Sequence, residues 1–135
     1  MKRLLLLSIS ILIVIFLSAC TGNPLQPNEN NMILSIKNNA NFDFYSIEIS
    51  TDNTVGGISN ADGSKIQKGE TLRKEYIDQK DFDLEGEATF EFVLIGEEEN
   101  RIPLKKITLE LTTNKEYFFE IIGDSIREAN LKRIE

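Results

Sequence analysis

The chain has 135 residues and a formal net charge of −7, from 15 basic and 22 acidic residues. It contains no histidine, no tryptophan and a single cysteine, Cys20. This composition excludes histidine-based acid–base catalysis, Ser–His and Cys–His nucleophile pairs, His/Cys metal sites and an internal disulfide. The acidic balance argues against a nucleic-acid partner, because phosphate binding needs clustered lysine and arginine. The length fits one domain.

The first part of the chain has the pattern of an export signal. Lys2 and Arg3 precede residues 4–17, which are apolar except for Ser8 and Ser10. Fourteen helical residues span roughly 21 Å, which is shorter than the roughly 30 Å hydrocarbon core of a bilayer. The pattern therefore predicts a signal helix over residues 1–19 that is cleaved, rather than a permanent membrane span.

The end of this signal has a specific motif. Leu17, Ser18, Ala19 and Cys20 follow one another, and this order resembles the lipobox of bacterial lipoprotein precursors. The resemblance implies cleavage between Ala19 and Cys20 and a diacylglyceryl group on the Cys20 sulfur, with palmitate-type chains holding the protein on the extracytoplasmic face of a cell membrane. Two acyl chains give stable anchoring, whereas one chain binds only marginally. The alternative is a plain secretory signal with an incidental cysteine.

Residues 20–30 are predicted to be a lipidated cysteine followed by a flexible tether, because they contain Pro24, Pro27 and several asparagines without apolar periodicity. Residues 31–135 are then one domain. Without Lys2 and Arg3 the balance is 13 basic against 22 acidic residues, or −9. The Ile/Lys/Asn/Glu-rich composition is similar to that of small uncharacterised lipoproteins of low-GC Gram-positive bacteria.

Apolar residues in the domain alternate with a period of two, which is typical of half-buried strands. About seven strands are predicted: Met32–Ile36, Phe42–Ile49, Thr71–Ile77, Glu87–Ile95, Ile102–Leu111, Lys115–Ile122 and Ile126–Ile134. Residues 50–70 are expected to be a loop with at most one short strand. Changes of parity at Tyr45 and at Lys105–Lys106 predict β-bulges, and a C-terminal helix is the alternative for the last strand.

This pattern predicts an all-β fold, an antiparallel β-sandwich. Residues 111–121 resemble the corner before the penultimate strand of immunoglobulin-like and fibronectin type III-like sandwiches. The resemblance implies a Greek-key topology in which the Tyr117 hydroxyl bonds to upstream backbone, the tyrosine corner. The Cys…Trp…Cys set of antibody domains is absent, so the resemblance concerns architecture alone.

Two groups of residues are candidates for binding. Nine acidic residues and one basic residue lie between positions 78 and 99, and the outward ones are a candidate patch for a cationic partner: Glu87, Glu91, Glu97, Glu98 and Glu99. The alternative is a solvated strand face that keeps the sheet soluble. Asn60 and Asp62 have part of a calcium-loop rhythm, but Ile58 and Gly69 occupy ligand positions, so a turn explains them better.

Three functions follow from these observations. The first is a lipid-anchored extracytoplasmic binding or interaction module, with membrane lipid held through Cys20 and a protein partner at the cell envelope. The second is an acidic inhibitor or decoy for a cationic protein such as a muramidase or an antimicrobial peptide. The third is a carboxylate- or metal-dependent hydrolase. The sequence favours a non-enzymatic role and predicts no cofactor.

Overall fold

The computed structural model describes residues 24–134, which form nine strands in two open sheets. The strands are β1 (Asn31–Asn38), β2 (Ser46–Ser50), β3 (Val55–Ser59), β4 (Thr71–Ile77), β5 (Glu87–Ile95), β6 (Arg101–Pro103), β7 (Ile107–Glu110), β8 (Lys115–Ile122) and β9 (Asn130–Ile134). Sheet I has the order β4-β1-β8-β9, and sheet II has the order β3-β2-β5-β6 with β7 also paired to β5. The predicted all-β class is confirmed, and the two layers are consistent with a sandwich.

The chain passes between the sheets several times. From β1 in sheet I it enters the β2–β3 hairpin of sheet II, returns to β4, crosses to β5, β6 and β7, and ends with the β8–β9 hairpin in sheet I. The predicted number of seven strands is too low for two reasons. The segment 50–70 does contain a strand, β3, and the predicted segment Ile102–Leu111 is divided into β6 and β7.

The prediction that the strands are all antiparallel is wrong at one pair. Strand β8 runs parallel to β1, with Met32 opposite Lys115 and Ile36 opposite Phe119, whereas the other strand pairs are antiparallel. The parallel pair arises because the last hairpin inserts beside β1 on the side opposite β4. Side chains alternate in the same way in parallel and antiparallel strands, so periodicity does not reveal the direction.

The core lies between the inward faces of the two sheets. Strand β1 contributes Met32, Leu34 and Ile36, which point inward and are buried as predicted. Its outward residues Asn31, Ile33 and Ser35 are buried as well, so the half-buried alternation predicted from the sequence is wrong for this strand. Aromatic rings connect the layers: Phe92 of sheet II and Phe119 of sheet I have ring centroids 5.8 Å apart. Of the six aromatic residues at inward parity, five are buried and Phe42 is partly buried against the core: Phe42, Phe44, Phe90, Phe92, Tyr117 and Phe119.

The bulge predicted at Lys105–Lys106 is present in the register of β5 with its two partners. Val93 lies opposite Pro103 and Phe90 lies opposite Ile107, so three steps on β5 correspond to four on the returning chain. At Tyr45, where the sequence also predicts a bulge, the chain instead changes the strand with which it pairs. Phe44 forms an isolated bridge with Ile66, and β2 begins only at Ser46.

The end of the chain is a strand rather than a helix. The connection between β8 and β9 contains the short 3-10 turn Ile126–Glu128. Gly123 begins this connection with a φ of +139°, and a Cβ atom there would lie 2.7 Å from the Glu128 carbonyl oxygen. The chain can fold back this closely only at glycine.

The inter-sheet aromatic contact gives a test of the core. We expect Phe92→Ala to lower the free energy of unfolding by about 3–5 kcal/mol, because the ring is fully buried and its removal leaves a cavity. Urea denaturation followed by circular dichroism measures the change. Val55→Ala is the control, since Val55 is 74% exposed. A loss below about 1 kcal/mol for Phe92→Ala, the scale of an Ile→Val change, would contradict this packing.

Candidate functional site

The acidic residues singled out in the sequence lie along β5 and in the loop that follows it. Glu87 begins β5, Glu91 lies in its middle, and Glu97–Glu99 form a 3-10 turn after its end. At about 3.3 Å per residue, the two ends of this group are roughly 30 Å apart. The five glutamates are therefore divided between the two ends and the middle of one strand, and they do not form a single patch.

Two of these glutamates already have cationic partners. Glu91 forms an ion pair with Lys106, and the Glu97 Oε1 atom lies 2.5 Å from the Lys65 ammonium. The hydrogen bond from Lys65 lowers the pKa of Glu97 and raises the pKa of Lys65. These pairs reduce the negative potential that the acidic residues present to an approaching cationic protein.

A polar groove of about 450 Å³ is lined by Glu87 and by three further carboxylates, Asp52, Asp83 and Glu85. All four residues are exposed to solvent. A carboxylic acid that protonates a leaving group needs a desolvated environment that raises its pKa, and this groove does not supply one. Over residues 24–134, no group of three or more acidic, histidine or cysteine side chains could hold a metal ion.

Asn60 and Asp62 belong to a self-contained turn. Asp62 Oδ1 accepts hydrogen bonds from the Ser64 amide at 3.0 Å and from the Ser64 hydroxyl at 2.6 Å. These bonds lower the pKa of Asp62, with the hydroxyl as the larger cause. The Asn60 side chain donates to the Ser64 and Lys65 carbonyl oxygens, and Gly63 has a φ of +75°. The two side chains thus stabilise the turn itself.

The two long sides of the sandwich differ. On one side β3 and β4 approach each other, and the Lys74 ammonium lies beside Gly56. On the opposite side, between β7 and β9, a groove of about 520 Å³ separates the sheets. Its apolar residues are Ile107, Ile122 and Leu131. We call this the lateral groove.

The polar residues of the lateral groove are mainly cationic. Lys105 and Lys106 come from the bulge before β7, and Lys132 and Arg133 come from β9. Within the described part of the chain, no acidic residue lines the groove. The excess of positive charge is local, since the chain as a whole carries −7.

Strand β9 is the edge of sheet I, so one side of its backbone has no neighbouring strand in the described structure. The Leu131 amide donates to the side-chain oxygen of Asn130, its own neighbour, at 2.9 Å. This donor is directed to a local side chain, as is expected of a backbone group on the unpaired edge.

Tyr117 lies next to these cations. Its ring is buried and its hydroxyl donates to the Glu110 carbonyl oxygen, seven residues upstream. The Lys115 ammonium lies 4.7 Å and the Arg133 guanidinium carbon 5.4 Å from the ring centroid. Cations at these distances are attracted to the face of an aromatic ring. Tyr117 therefore links the end of β7 to the side chains at the rim of β9.

The segment before β1 lies against the outward side of sheet I, although the sequence predicts a flexible tether there. Arg73 Nη1 donates to the Leu25 carbonyl oxygen at 2.5 Å, and the Asn31 side-chain Nδ2 donates to the Gln26 carbonyl oxygen at 3.1 Å. The Asn114 amide also donates to the Asn28 carbonyl oxygen at 2.8 Å. Residues 24–30 are thus part of the folded unit.

The arginine that binds this segment is held by a network on the same face. The Arg73 Nη2 atom lies 2.9 Å from Glu116 Oε1, and the Ser35 hydroxyl also donates to Glu116. The three side chains come from adjacent strands β4, β1 and β8. Ile33, on the same side of β1, is fully buried.

The sequence interpretation missed the cationic residues of the lateral groove. The periodicity predicts only a bulge at Lys105–Lys106 and only a strand around Lys132 and Arg133. Two adjacent pairs of cations in an acidic chain were the available signal. The two pairs of cations are close in space because β9 lies beside β8, and the periodicity of the sequence does not predict this position.

The predicted lipidation site Cys20 and cleavage residue Ala19 lie outside the described residues. In the part of the chain that the structure describes, no helix is sufficiently long and apolar to cross a membrane.

Comparison with known proteins gives similarity of structure only. No protein-family model matches the chain, and no curated protein is significantly similar in sequence. An NMR structure of a protein from Eubacterium rectale superposes with a TM-score of 0.50 and 7% identity, over 82% of this chain and 95% of that one. A disulfide-locked mutant of intermedilysin with human CD59 has a TM-score of 0.41 and 8% identity, over 77% of this chain and 24% of that one. The first of these similarities supports the fold alone.

The hydrogen bond of the Tyr117 hydroxyl contributes to the stability of the fold, and this contribution can be measured. We expect Tyr117→Phe to lower the free energy of unfolding by about 1–3 kcal/mol, because the Glu110 carbonyl oxygen loses its donor. Chemical denaturation gives the value. Tyr45→Phe is the matched control, since Tyr45 is exposed. Equal stability of the two variants would show that the bond is not formed in solution.

The exposed pair Arg101–Glu48 gives a pH-dependent prediction. Hydrogen bonds from the Arg101 guanidinium at 2.7 and 3.2 Å lower the pKa of Glu48. A lowered pKa stabilises the fold above the ordinary glutamate pKa of about 4.3, and this contribution disappears as the pH falls through the folded-state value. We expect Arg101→Gln to raise the pKa of Glu48 in an NMR titration. Glu97 is the internal control, because its partner Lys65 is unchanged; a Glu48 pKa unaffected by the substitution would disprove the pairing.

Proposed function

We propose that this chain is a bacterial lipoprotein, anchored through Cys20 on the extracytoplasmic face of a cell membrane, whose β domain is a binding module for a partner at the cell envelope. The observation that carries the proposal is the order of features in the sequence. A short basic segment, an apolar segment and the motif Leu17-Ser18-Ala19-Cys20 directly precede the folded domain. Lipidation also gives the single cysteine a use in an exported protein.

The position of residues 24–30 adds a geometrical constraint to this proposal. The domain includes these residues, and three residues of sequence, 21–23, lie between Cys20 and Pro24. Four residues from 20 to 23 span at most roughly 14 Å. The β domain of the anchored protein would thus lie close to the bilayer surface.

The binding role is supported by the lateral groove. It combines an apolar floor with several charged side chains at an open side of the domain, which is the usual composition of a binding site. The inhibitor hypothesis has less support, because the five candidate glutamates are separated and Glu91 and Glu97 have cationic partners. The hydrolase hypothesis lacks a desolvated carboxylate in the acidic groove.

We further propose that the fold is a variant of the immunoglobulin-like sandwich. Strands β1 and β4 would be B and E, β2 and β3 would be C and C′, and β5 with β6 and β7 would be F and G. The pairings β1–β4, β2–β5 and β5–β6 support this assignment. The β8–β9 hairpin would then take the place of strand A beside B, and Tyr117 would lie outside the usual corner strand.

The anchoring proposal is tested by fatty-acid labelling. In a bacterium that processes lipoproteins, we expect the wild-type chain to incorporate an alkyne-labelled palmitate and to sediment with membranes. Cys20→Ala should lose both properties, because the sulfur that would receive the diacylglyceryl group is absent. Ser18→Ala is the control, since it keeps a small residue at its position in the motif.

Gel fluorescence after labelling and fractionation measure these outcomes. An unlabelled wild-type chain would refute lipidation. A Cys20→Ala chain that still carries label or remains in the membrane fraction would show that the anchor is elsewhere.

A further inference from the structure

The lateral groove combines charge, apolar surface and the edge of strand β9 in one place. Lys105 and Lys106 border it on the sheet II side, and Lys132 and Arg133 border it on the sheet I side. Lys106 is paired with Glu91, and Arg133 lies over the Tyr117 ring. Among residues 24–134, those that line the groove include no carboxylate, although Glu91 pairs with Lys106 from outside the lining. A negatively charged ligand would therefore meet a rim of net positive charge within an acidic protein.

The floor of the groove is apolar and the edge of β9 offers backbone groups. Ile107 and Ile122 are half-buried and Leu131 is buried there. The Leu131 amide is bonded to the Asn130 side chain at 2.9 Å, which a partner strand could replace. Strand β9 has five residues, so at about 3.4 Å per residue the edge is roughly 17 Å long.

We infer that the lateral groove binds an extended acidic peptide segment of a partner protein, which adds to the β9 edge as a further strand of sheet I. The inference rests on the proposed binding function and names the class of partner. Strand addition uses backbone hydrogen bonds for affinity and alternate side chains for specificity. The preferred segment therefore alternates apolar residues, which face the groove floor, with glutamate or aspartate residues, which meet the cationic rim.

A peptide is the occupant that the geometry favours over an anionic lipid surface. A lipid headgroup would use the cations but would not form a strand pair with the edge of β9. An alternating acidic peptide uses the cations, the apolar floor and the edge together. Lys105 lines the groove from the sheet II side and Arg133 lines it from the sheet I side, so a strand placed between the sheets would meet positive charge on both of its sides.

The test uses the full chain purified in a non-ionic detergent and a fluorescein-labelled peptide, Glu-Leu-Glu-Val-Glu. We expect saturable binding in fluorescence anisotropy and a fall in affinity as the salt concentration rises. NMR shift changes should lie in β7 and β9. A Lys-Leu-Lys-Val-Lys peptide should not bind, and a version with alternate amides N-methylated should bind at least tenfold more weakly, because it cannot pair with a strand edge.

Variants of the chain separate the groove from general charge effects. The double substitution Lys132→Glu and Arg133→Glu should reduce affinity at least tenfold. The matched control is Lys37→Glu with Lys80→Glu, which changes the net charge equally at two exposed positions that do not line the groove. Asn130→Ala should bind at least as tightly as the wild type, because it frees the Leu131 amide. Urea midpoints establish that each variant is folded.

Several outcomes would overturn the inference. Equal affinities of the two double variants would show that the groove is not the site, and unchanged binding of the N-methylated peptide would exclude strand addition. Absence of peptide binding together with groove-dependent binding to phosphatidylglycerol vesicles would assign the site to a lipid surface. The labelling of Cys20 is measured separately, so a lipidated chain that does not bind the peptide refutes this inference and leaves the anchoring proposal standing.

Discussion

The burial of β1 on both faces is the constraint on which the rest of the structure depends. Its inward residues belong to the core between the sheets, and its outward residues Asn31, Ile33 and Ser35 are also buried. A strand that is buried on both faces needs a hydrogen-bonded strand at each edge and packed residues against each face. Strands β4 and β8 supply the neighbours, sheet II supplies one cover, and residues 24–28 lie on the outward side beside Glu75.

The two sides of the sandwich acquire different chemistry from this arrangement. Because the last hairpin is added to sheet I beyond β1, sheet I extends to β9 while sheet II ends at β6 and β7. These edges do not pair with each other, and the lateral groove lies between them. The cations of the groove are brought together by two distant parts of the chain, the bulge at residues 104–106 and the last strand.

Much of the fold can be predicted from the local sequence pattern. The alternation of apolar residues along a strand is set by the residues of that strand and does not require knowledge of its neighbours. The pattern of Glu87–Ile95 and the bulge at Lys105–Lys106 are examples, and both agree with the structure. The parallel β1–β8 pair and the lateral groove could not be predicted in this way. They depend on which strands become neighbours, and that choice is made by long-range packing. The candidate glutamates were predicted from their number, but their separation along β5 and their ion pairs appear only in three dimensions.

The attachment of residues 24–30 to sheet I has a mechanical consequence. A pull from the membrane on the proposed anchor would enter the domain at β1 and be passed through β8 to β9 within a single hydrogen-bonded sheet. Since the pull acts along the parallel β1–β8 pair, it loads the hydrogen bonds of that pair together in shear rather than opening them one after another. The Arg73 bond to Leu25 and the Asn31 bond to Gln26 would bear this force first, ahead of the core strands. Under the proposed anchoring, tension between Cys20 and a ligand held at the β9 edge would therefore pass through sheet I alone.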